Sequence, residues 1–455
     1  MNKRERLNLD REICAAVWTG SGPVDLMQAL GNEVGPRPPG SPALRTAAQV
    51  LGRELGGLGC ERVHTEPVKL LAWDPGDADV TLTAPGPHCF EAVHHVHSAA
   101  ADVTGPLVDA GAATAADLDR LGRSVTDAVL LVAGHEITGG KVPPTRRRLR
   151  DLADRGAAAI VMRCRVPGLG PAIELAAVAK VIPVPVVGVS YEAGSDLAAA
   201  AATGAARARV RARGTSRAAD CVNLAAELAP PGAAGEIVIL SAHLDSFHTS
   251  PGAFDNLTGV VALAEIARSL APFKTRFRRC LRLIVFTGEE YGLTGSVAYV
   301  SRHAAELDNI RFVFNLDSLF PNTARGAAVM WAPAMCAMID SALHETRRPV
   351  EVRNMFCMSS DYLPFMLEGI ATGRPADFEG VFPPFSHTRH DTVENVPPDW
   401  IRLNAMTWAQ MLLRLLTAPT LPTTRLPRER VRALVEEEAA AAALWEYWPA
   451  SAAPD

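Results

Sequence analysis

After Asn223 the chain alternates buried-strand and amphipathic-helix patterns without a break: "EIVIL", "LTGVVALAEIARSL", "LRLIVF", "LTGSVAYVSRH" and "RFVFNL" follow in that order. Strands that are apolar throughout need cover on both faces, and helices between successive strands supply it, so this order restricts the chain to an α/β fold. We expect a mixed, mostly parallel central sheet with helices on both faces. In open sheets of this kind ligands bind outside the carboxyl ends of the strands. There, "EIVILS" runs into His243 and Asp245, "LRLIVFTG" into Glu289 and Glu290, and "RFVFNL" into Asp317. Separate strands therefore aim imidazole or carboxylate groups at one edge.

At 455 residues the chain exceeds one ordinary core, so a second domain or an insert is expected. Before the alternating region, "GPRPPGSP" opens a helix with Ser41 as N-cap, Pro42 at its first position and Gly56 and Gly57 at its end. A strand-like segment, "CERVHTEPVKL", follows. From residue 91 to 222 the texture becomes alanine- and valine-rich, with short strands such as "AVLLVA", "AAAIVM" and "IPVPVVGVS" and one helix, "TRRRLRDLADRG", capped by Thr145. This block reads as an inserted mixed α/β domain. Residues 1–90 and 223–420 then form the main domain, and 421–455 a charged, alanine-rich helix with a flexible end.

A net charge of −5 gives no electrostatic reason to expect nucleic acid or an anionic membrane as partner. The opening "MNKRERLNLDREICAAVW" has no apolar core behind its charges, and no run of about eighteen apolar residues follows anywhere. The eight cysteines are scattered singly without a CxxC pair and read as reduced, mostly buried thiols. A cytoplasmic location is expected, or a secreted one if the true start lies upstream.

Carboxylates gathered without compensating charge repel one another, and a divalent cation removes that problem. A mixed imidazole and carboxylate set suits zinc, with manganese or cobalt as substitutes. The carboxylates outnumber the needs of one tetrahedral ion, which favours a two-metal site with a bridging aspartate. At this point "AHLDSFHTSPGAFDN", "TGEEYGLTGS", "NLDS", "SSDYLPF" and "SHTRHDT" are similar, in order and spacing, to the motif series of metallopeptidase family 28. That family holds the two-zinc aminopeptidases, the glutamate carboxypeptidases and the transferrin receptors. The 91–222 block resembles the protease-associated (PA) domain that many members carry. The resemblance implies the zinc-dependent exopeptidase fold and two zinc ions bridged by Asp255. His243 and Asp317 would complete one ion's set, and Glu290 with His387 the other's. Glu289 would be the general base, and Asp245 would orient His243. It also implies a cis peptide between Asp255 and Asn256, and a peptide substrate cleaved from its N-terminus.

Each of these residues has a plainer explanation beside the functional one. An acidic pair is ordinarily solvated surface, although Glu289 and Glu290 follow a buried strand directly. Asp255 alone would serve as a cap for the helix that starts near Leu257. "SHTRHDT" offers His390 as well as His387, and the family pattern favours His387. His248 lies in the variable part of its loop and reads as a bystander. His88, His94, His95 and His97 suggest either a second metal site or, more simply, a strand with exposed imidazoles. The basic run Arg146 to Arg148 reads as a solvated face. Tyr362 stands where the family commonly shows histidine, which bears on substrate preference. Phe356 and Phe385, with the aromatic and methionine residues around them, line an apolar specificity pocket or belong to the core.

Beyond an aminopeptidase, two alternatives follow. One is a related amide hydrolase, acting as a carboxypeptidase of acidic dipeptides or as an amidase on a peptide-like metabolite; Arg353 or Arg374 would then hold a substrate carboxylate. The other is a non-catalytic binding relative.

Overall fold

The structure, a computed structural model, describes residues 3–134, 145–230, 235–348, 350–380 and 382–437. Its opening segment forms a helix, Lys3–Thr19, whose Leu9, Ile13 and Val17 recur every four residues and are buried in the main core. The helix Pro42–Gly57 follows, with the Ser41 hydroxyl accepting from the Leu44 amide at 3.1 Å.

Strand β1 (Glu61–Asp74) starts the main sheet. The chain then leaves it for β2 (Ala78–Ala84), β3 (His88–His94), β4 (Ala101–Asp109), β5 (Val129–Ala133), β6 (Ala159–Arg163), β7 (Val186–Val189) and β8 (Arg207–Ala212). It returns as β9 (Thr215–Leu228) and continues through β10 (Ile237–His243), β11 (Cys280–Phe286), β12 (Ile310–Asn315), β13 (Gly326–Met330), β14 (Glu351–Met355) and β15 (Thr372–Pro375). The main sheet has the order β1-β9-β11-β10-β12-β15-β13-β14. Its centre, β11-β10-β12-β15, is parallel, and antiparallel pairs lie towards the edges.

The two-residue period of β10 explains why both faces are covered. Val238, Leu240 and Ala242 enter one core with the helices Thr258–Leu270 and Pro398–Thr417, while Ile237 and Ile239 enter the other with Tyr299, Val300 and Phe365. The helix Thr258–Leu270 is apolar on almost every side and correspondingly almost wholly buried.

The insert is a closed seven-stranded barrel, β2-β3-β7-β6-β5-β4-β8, filled by residues such as Val80, Phe90, Val129, Val161 and Val210. β1 and β9 form a long antiparallel pair in which Asp74 faces Thr215, so the barrel lies between these two residues. The boundaries expected at 91 and 222 fall instead inside β3 and inside β9. Composition misplaced them because "ADVTLTA" and "HCFEAVH" alternate like any half-buried strand, and the alanine-rich texture begins only after them.

His94, His95 and His97 are buried, not exposed as a strand with free imidazoles would require, and only His88 is exposed. Arg148 is likewise buried, donating to the Ala112 carbonyl at 2.9 Å, so the face expected to be solvated is partly internal. All eight cysteines are free. Among the described residues no helix is long and apolar enough to cross a membrane. Of the segment from 421, residues Arg428–Glu437 are helical, and the remainder beyond 437 lies outside the described residues.

Candidate active site

His243 is the last residue of β10, Glu289 and Glu290 follow β11 after a short turn, and Asp317 follows β12. Because these are the three adjacent central strands, their carboxyl ends bring the groups to one point. The loop from His243 to Asp255 is shaped by Arg37, a residue whose part was not anticipated. Its buried guanidinium donates to the carbonyls of Gly35 at 2.7 Å, Leu244 and Pro251 at 2.8 Å, and Gly252 at 3.1 Å. Burial pulls its pKa down to about 10, a value at which it still carries its charge near neutrality. Gly252 adopts φ +62°, and a Cβ there would sit 2.5 Å from the Ser246 Cβ, so the loop folds back only with glycine at this point.

Two more side chains fix Asp255. Asp391 accepts from the Phe254 and Asp255 amides at 2.6 and 3.1 Å. Asn256, joined to Asp255 by a cis peptide, donates to the Leu316 carbonyl at 2.9 Å and accepts from the Ser318 amide at 3.1 Å. It thereby ties Asp255 to the turn that carries Asp317. Asp391 ends the "SHTRHD" motif and Arg37 sits in "GPRPPGSP", so both stood within recognised stretches without a role assigned.

His243 Nε2 lies 3.2 Å from Asp255 Oδ1 and 3.5 Å from Asp317 Oδ1. His387 Nε2 lies 3.3 Å from Glu290 Oε2 and 3.5 Å from Asp255 Oδ2. Two groups result, His243-Asp255-Asp317 and Asp255-Glu290-His387, each offering ligand atoms within 4.8 Å of one another and sharing Asp255. His243 Nε2 is buried without a well-formed hydrogen bond, which fits a donor atom turned towards a cation. Among the described residues no other group of histidine, cysteine and carboxylate side chains has metal-ligand spacing, so the histidines around His94 do not form a second metal site. His390, the alternative in its motif, is absent from both groups, as is His248.

The charges around the site explain the titration behaviour. Burial raises Asp255, but the imidazoles of His243 and His387 outweigh it and hold the carboxylate well below its usual range. Glu290 is pushed up to about 7, chiefly by burial. Glu289 is raised well above the usual range by burial, with Asp317, Glu290 and Asp361 adding to the effect against His243. A cluster this rich in carboxylates is completed by positive charge.

Asp245 differs from its expected role in one respect. Its carboxylate is 3.8 Å from His243 Nδ1, and the ring nitrogen instead faces the Asp245 backbone oxygen at 3.2 Å. The carboxylate accepts from the Glu289 and Glu290 amides at 3.2 and 3.1 Å, clamping the end of β11 to the end of β10. Tyr362 is fully buried in a cluster with Leu363, Met366 and Val431, and its hydroxyl accepts from the Ser359 amide at 3.0 Å. The substrate contact expected of Tyr362 is replaced by a core role. Phe356 stacks on Trp331 at 5.4 Å. Phe385 packs edge-on against Phe254, the residue before Asp255, at 5.9 Å, which brings it beside the cluster.

A mixed sheet with an imidazole and carboxylate cluster at the ends of its parallel strands defines the class of metal-dependent α/β hydrolases. Residues 223–412 match the model of Peptidase family M28, and the chain carries a domain of that family. Carboxypeptidase Q of Bos taurus is 25% identical over 394 residues, which cover 84% of this chain and 82% of that protein. A probable leucine aminopeptidase 2 of Aspergillus oryzae is 30% identical over 200 residues, covering 41% of this chain and 40% of that one. Among solved structures, a peptidase M28 precursor from Shewanella amazonensis superposes with a TM-score of 0.80 at 20% identity, over 94% of this chain and 100% of its own. A zinc aminopeptidase from Bacillus subtilis gives 0.68 at 22% identity, over 89% and 97%. These structures share the fold.

Proposed function

We propose that this chain is a zinc-dependent aminopeptidase, in which His243, Asp255 and Asp317 hold one zinc ion and Asp255, Glu290 and His387 a second. The observation that carries the proposal is the pair of ligand groups meeting at Asp255. Relatives named leucine aminopeptidase support the choice of substrate end. Bound zinc supplies Lewis acidity and a water that ionises near neutral pH. Glu289, adjacent to both groups, takes the proton of the attacking water and returns it to the leaving amine, so its carboxyl works as base and then as acid. Asp245 keeps Glu289 and Glu290 in register through two amide hydrogen bonds. The exposed Phe382 and the partly buried Phe385, both packed on the buried Phe254 beside Asp255, receive an apolar substrate side chain. The barrel is the PA-like insert, and the eight free thiols support a reducing compartment.

The relatives named carboxypeptidase Q favour a second reading, cleavage of dipeptides with recognition of the free carboxylate. Of the arginines expected to hold that group, Arg353 is engaged elsewhere, while Arg374 is partly buried with its charge acting on Asp317 of the ligand groups. Arg353 donates to Glu351 at 2.6 Å and lies over the Phe378 ring, and Arg374 donates to Ser359 and Pro375 at 2.8 and 3.1 Å. Hydrolysis of aminoacyl-nitroanilides, N-blocked peptides and dipeptides, with and without chelator, separates the two. Chelator-sensitive release from free N-termini supports the aminopeptidase, whereas turnover of dipeptides alone supports the second reading.

A further inference from the structure

Two members of the ligand groups do not sit at a strand end: Asp255, which lies where the chain enters the helix Thr258–Leu270, and His387. His387 lies in the loop before the helix Pro398–Thr417 and has φ +60°, an uncommon backbone state for a residue with a Cβ. Something must hold both its backbone and its ring, and the inserted barrel touches both. The Ile173 amide donates to the His387 carbonyl at 3.0 Å. The neighbouring Glu174 places Oε1 3.4 Å from His387 Nδ1, on the side of the ring away from Asp255 and Glu290.

The segment carrying Glu174 connects β6 to β7 and is itself anchored. Glu174 accepts from the Val96 amide through its carbonyl at 3.1 Å, and Ala176 donates to the Val96 carbonyl at 2.8 Å. On either side of Glu174, the side chains of Ile173 and Leu175 are buried in one cluster with Phe247 and Tyr291 of the main domain. That alternation leaves Glu174 turned the other way, towards His387. Phe247 also meets the His387 ring edge-on at 4.9 Å, so the imidazole is braced by an aromatic edge, by a carboxylate at Nδ1 and by its own backbone.

A metal-ligating histidine needs a partner at its other ring nitrogen, which fixes the tautomer that leaves the ligating nitrogen unprotonated and makes it more basic. Asp245 answers that need for His243 through its backbone oxygen. We infer that Glu174 is the positioning residue for His387, so that the inserted barrel completes one half of the metal site. This inference rests on the zinc reading above and adds to it that the insert acts on metal affinity, not only on access to the site.

The test is equilibrium zinc binding, by competition with a chromophoric chelator, on the full-length protein and on Glu174→Ala, Glu174→Asp and Glu174→Gln. Removing a carboxylate partner of this kind weakens metal affinity roughly 10- to 100-fold. The expected result is a loss of that size for one zinc of the pair in Glu174→Ala, an unchanged second site, and recovery of most of the affinity in Glu174→Gln, which retains an acceptor for Nδ1. Circular dichroism of each variant establishes that the fold is intact, and the half-exposed Glu174 side chain makes its replacement mild. Wild-type affinity at both sites in Glu174→Ala overturns the inference while leaving the zinc reading in place, as does equal weakening of both sites. A wild-type protein that binds fewer than two zinc ions overturns the zinc reading, and this inference with it.

Discussion

Acid should loosen the seam between the barrel and the main domain, and His97 gives the sharpest way to measure it. His97 is fully buried, its Nδ1 lies 2.9 Å from the Ser216 hydroxyl, and its ring meets those of Trp73 and Tyr291 edge-on. Burial pushes its pKa down from 6.5 to about 4, and the neighbouring His94, His95 and His248 are lowered to about 4 for the same reason. With the folded pKa below the unfolded one, the unfolded chain takes up protons first. Stability is therefore complete above pH 6.5 and falls as the pH drops from there towards 4. For one such histidine the loss at pH 5 comes to about 2 kcal/mol. Asparagine tolerates the positive φ of +62° at this position and does not titrate. His97→Asn should thus be less stable than wild type at pH 7.5, through lost ring packing, and the gap should shrink by about 2 kcal/mol at pH 5. Urea unfolding of both proteins across this range measures the gap, and groups common to both cancel in the difference. A gap that stays constant or widens on acidification would refute the assignment of a neutral, buried His97.

Three further outcomes follow from the site. Glu289→Gln should lower kcat by roughly 10²- to 10⁴-fold with zinc content unchanged, measured by steady-state kinetics beside metal analysis; near-normal turnover would remove Glu289 as the base. Arg37→Lys keeps the charge but not the planar set of donors, leaving buried carbonyls of the 243–256 loop unpaired at roughly 1–3 kcal/mol each. A clear fall in Tm is expected, and an unchanged Tm would contradict the part given to Arg37. Tyr362→Phe removes one buried hydroxyl that accepts from the Ser359 amide, so it should cost about 1 kcal/mol of stability and leave the ranking of substrates as it was. A changed ranking would return Tyr362 to the substrate pocket.

The strands that carry His243, Glu289, Glu290 and Asp317 were readable because each is a short apolar run ending in a polar group, a pattern local to a few residues. The helix after Ser41 was readable for the same reason. What escaped were pairings across long stretches of chain. Asp391 meets the amides of Phe254 and Asp255, Arg37 meets carbonyls more than two hundred residues away, and Glu174 meets His387 only because the barrel folds back onto the main domain. Burial was the other hidden quantity. "HCFEAVHHVH" alternates as an exposed strand would, yet docking of the barrel encloses His94, His95 and His97. Tyr362 took its expected role from a motif position, while the packing of Leu363, Met366 and Val431 around it decides its place.

The most direct test of the central claim is anomalous diffraction at the zinc edge from crystals of the zinc-loaded protein. The account predicts two peaks, one against His243 and Asp317 and one against Glu290 and His387, with Asp255 reaching both. A single peak, or peaks that leave Asp255 out, would contradict it.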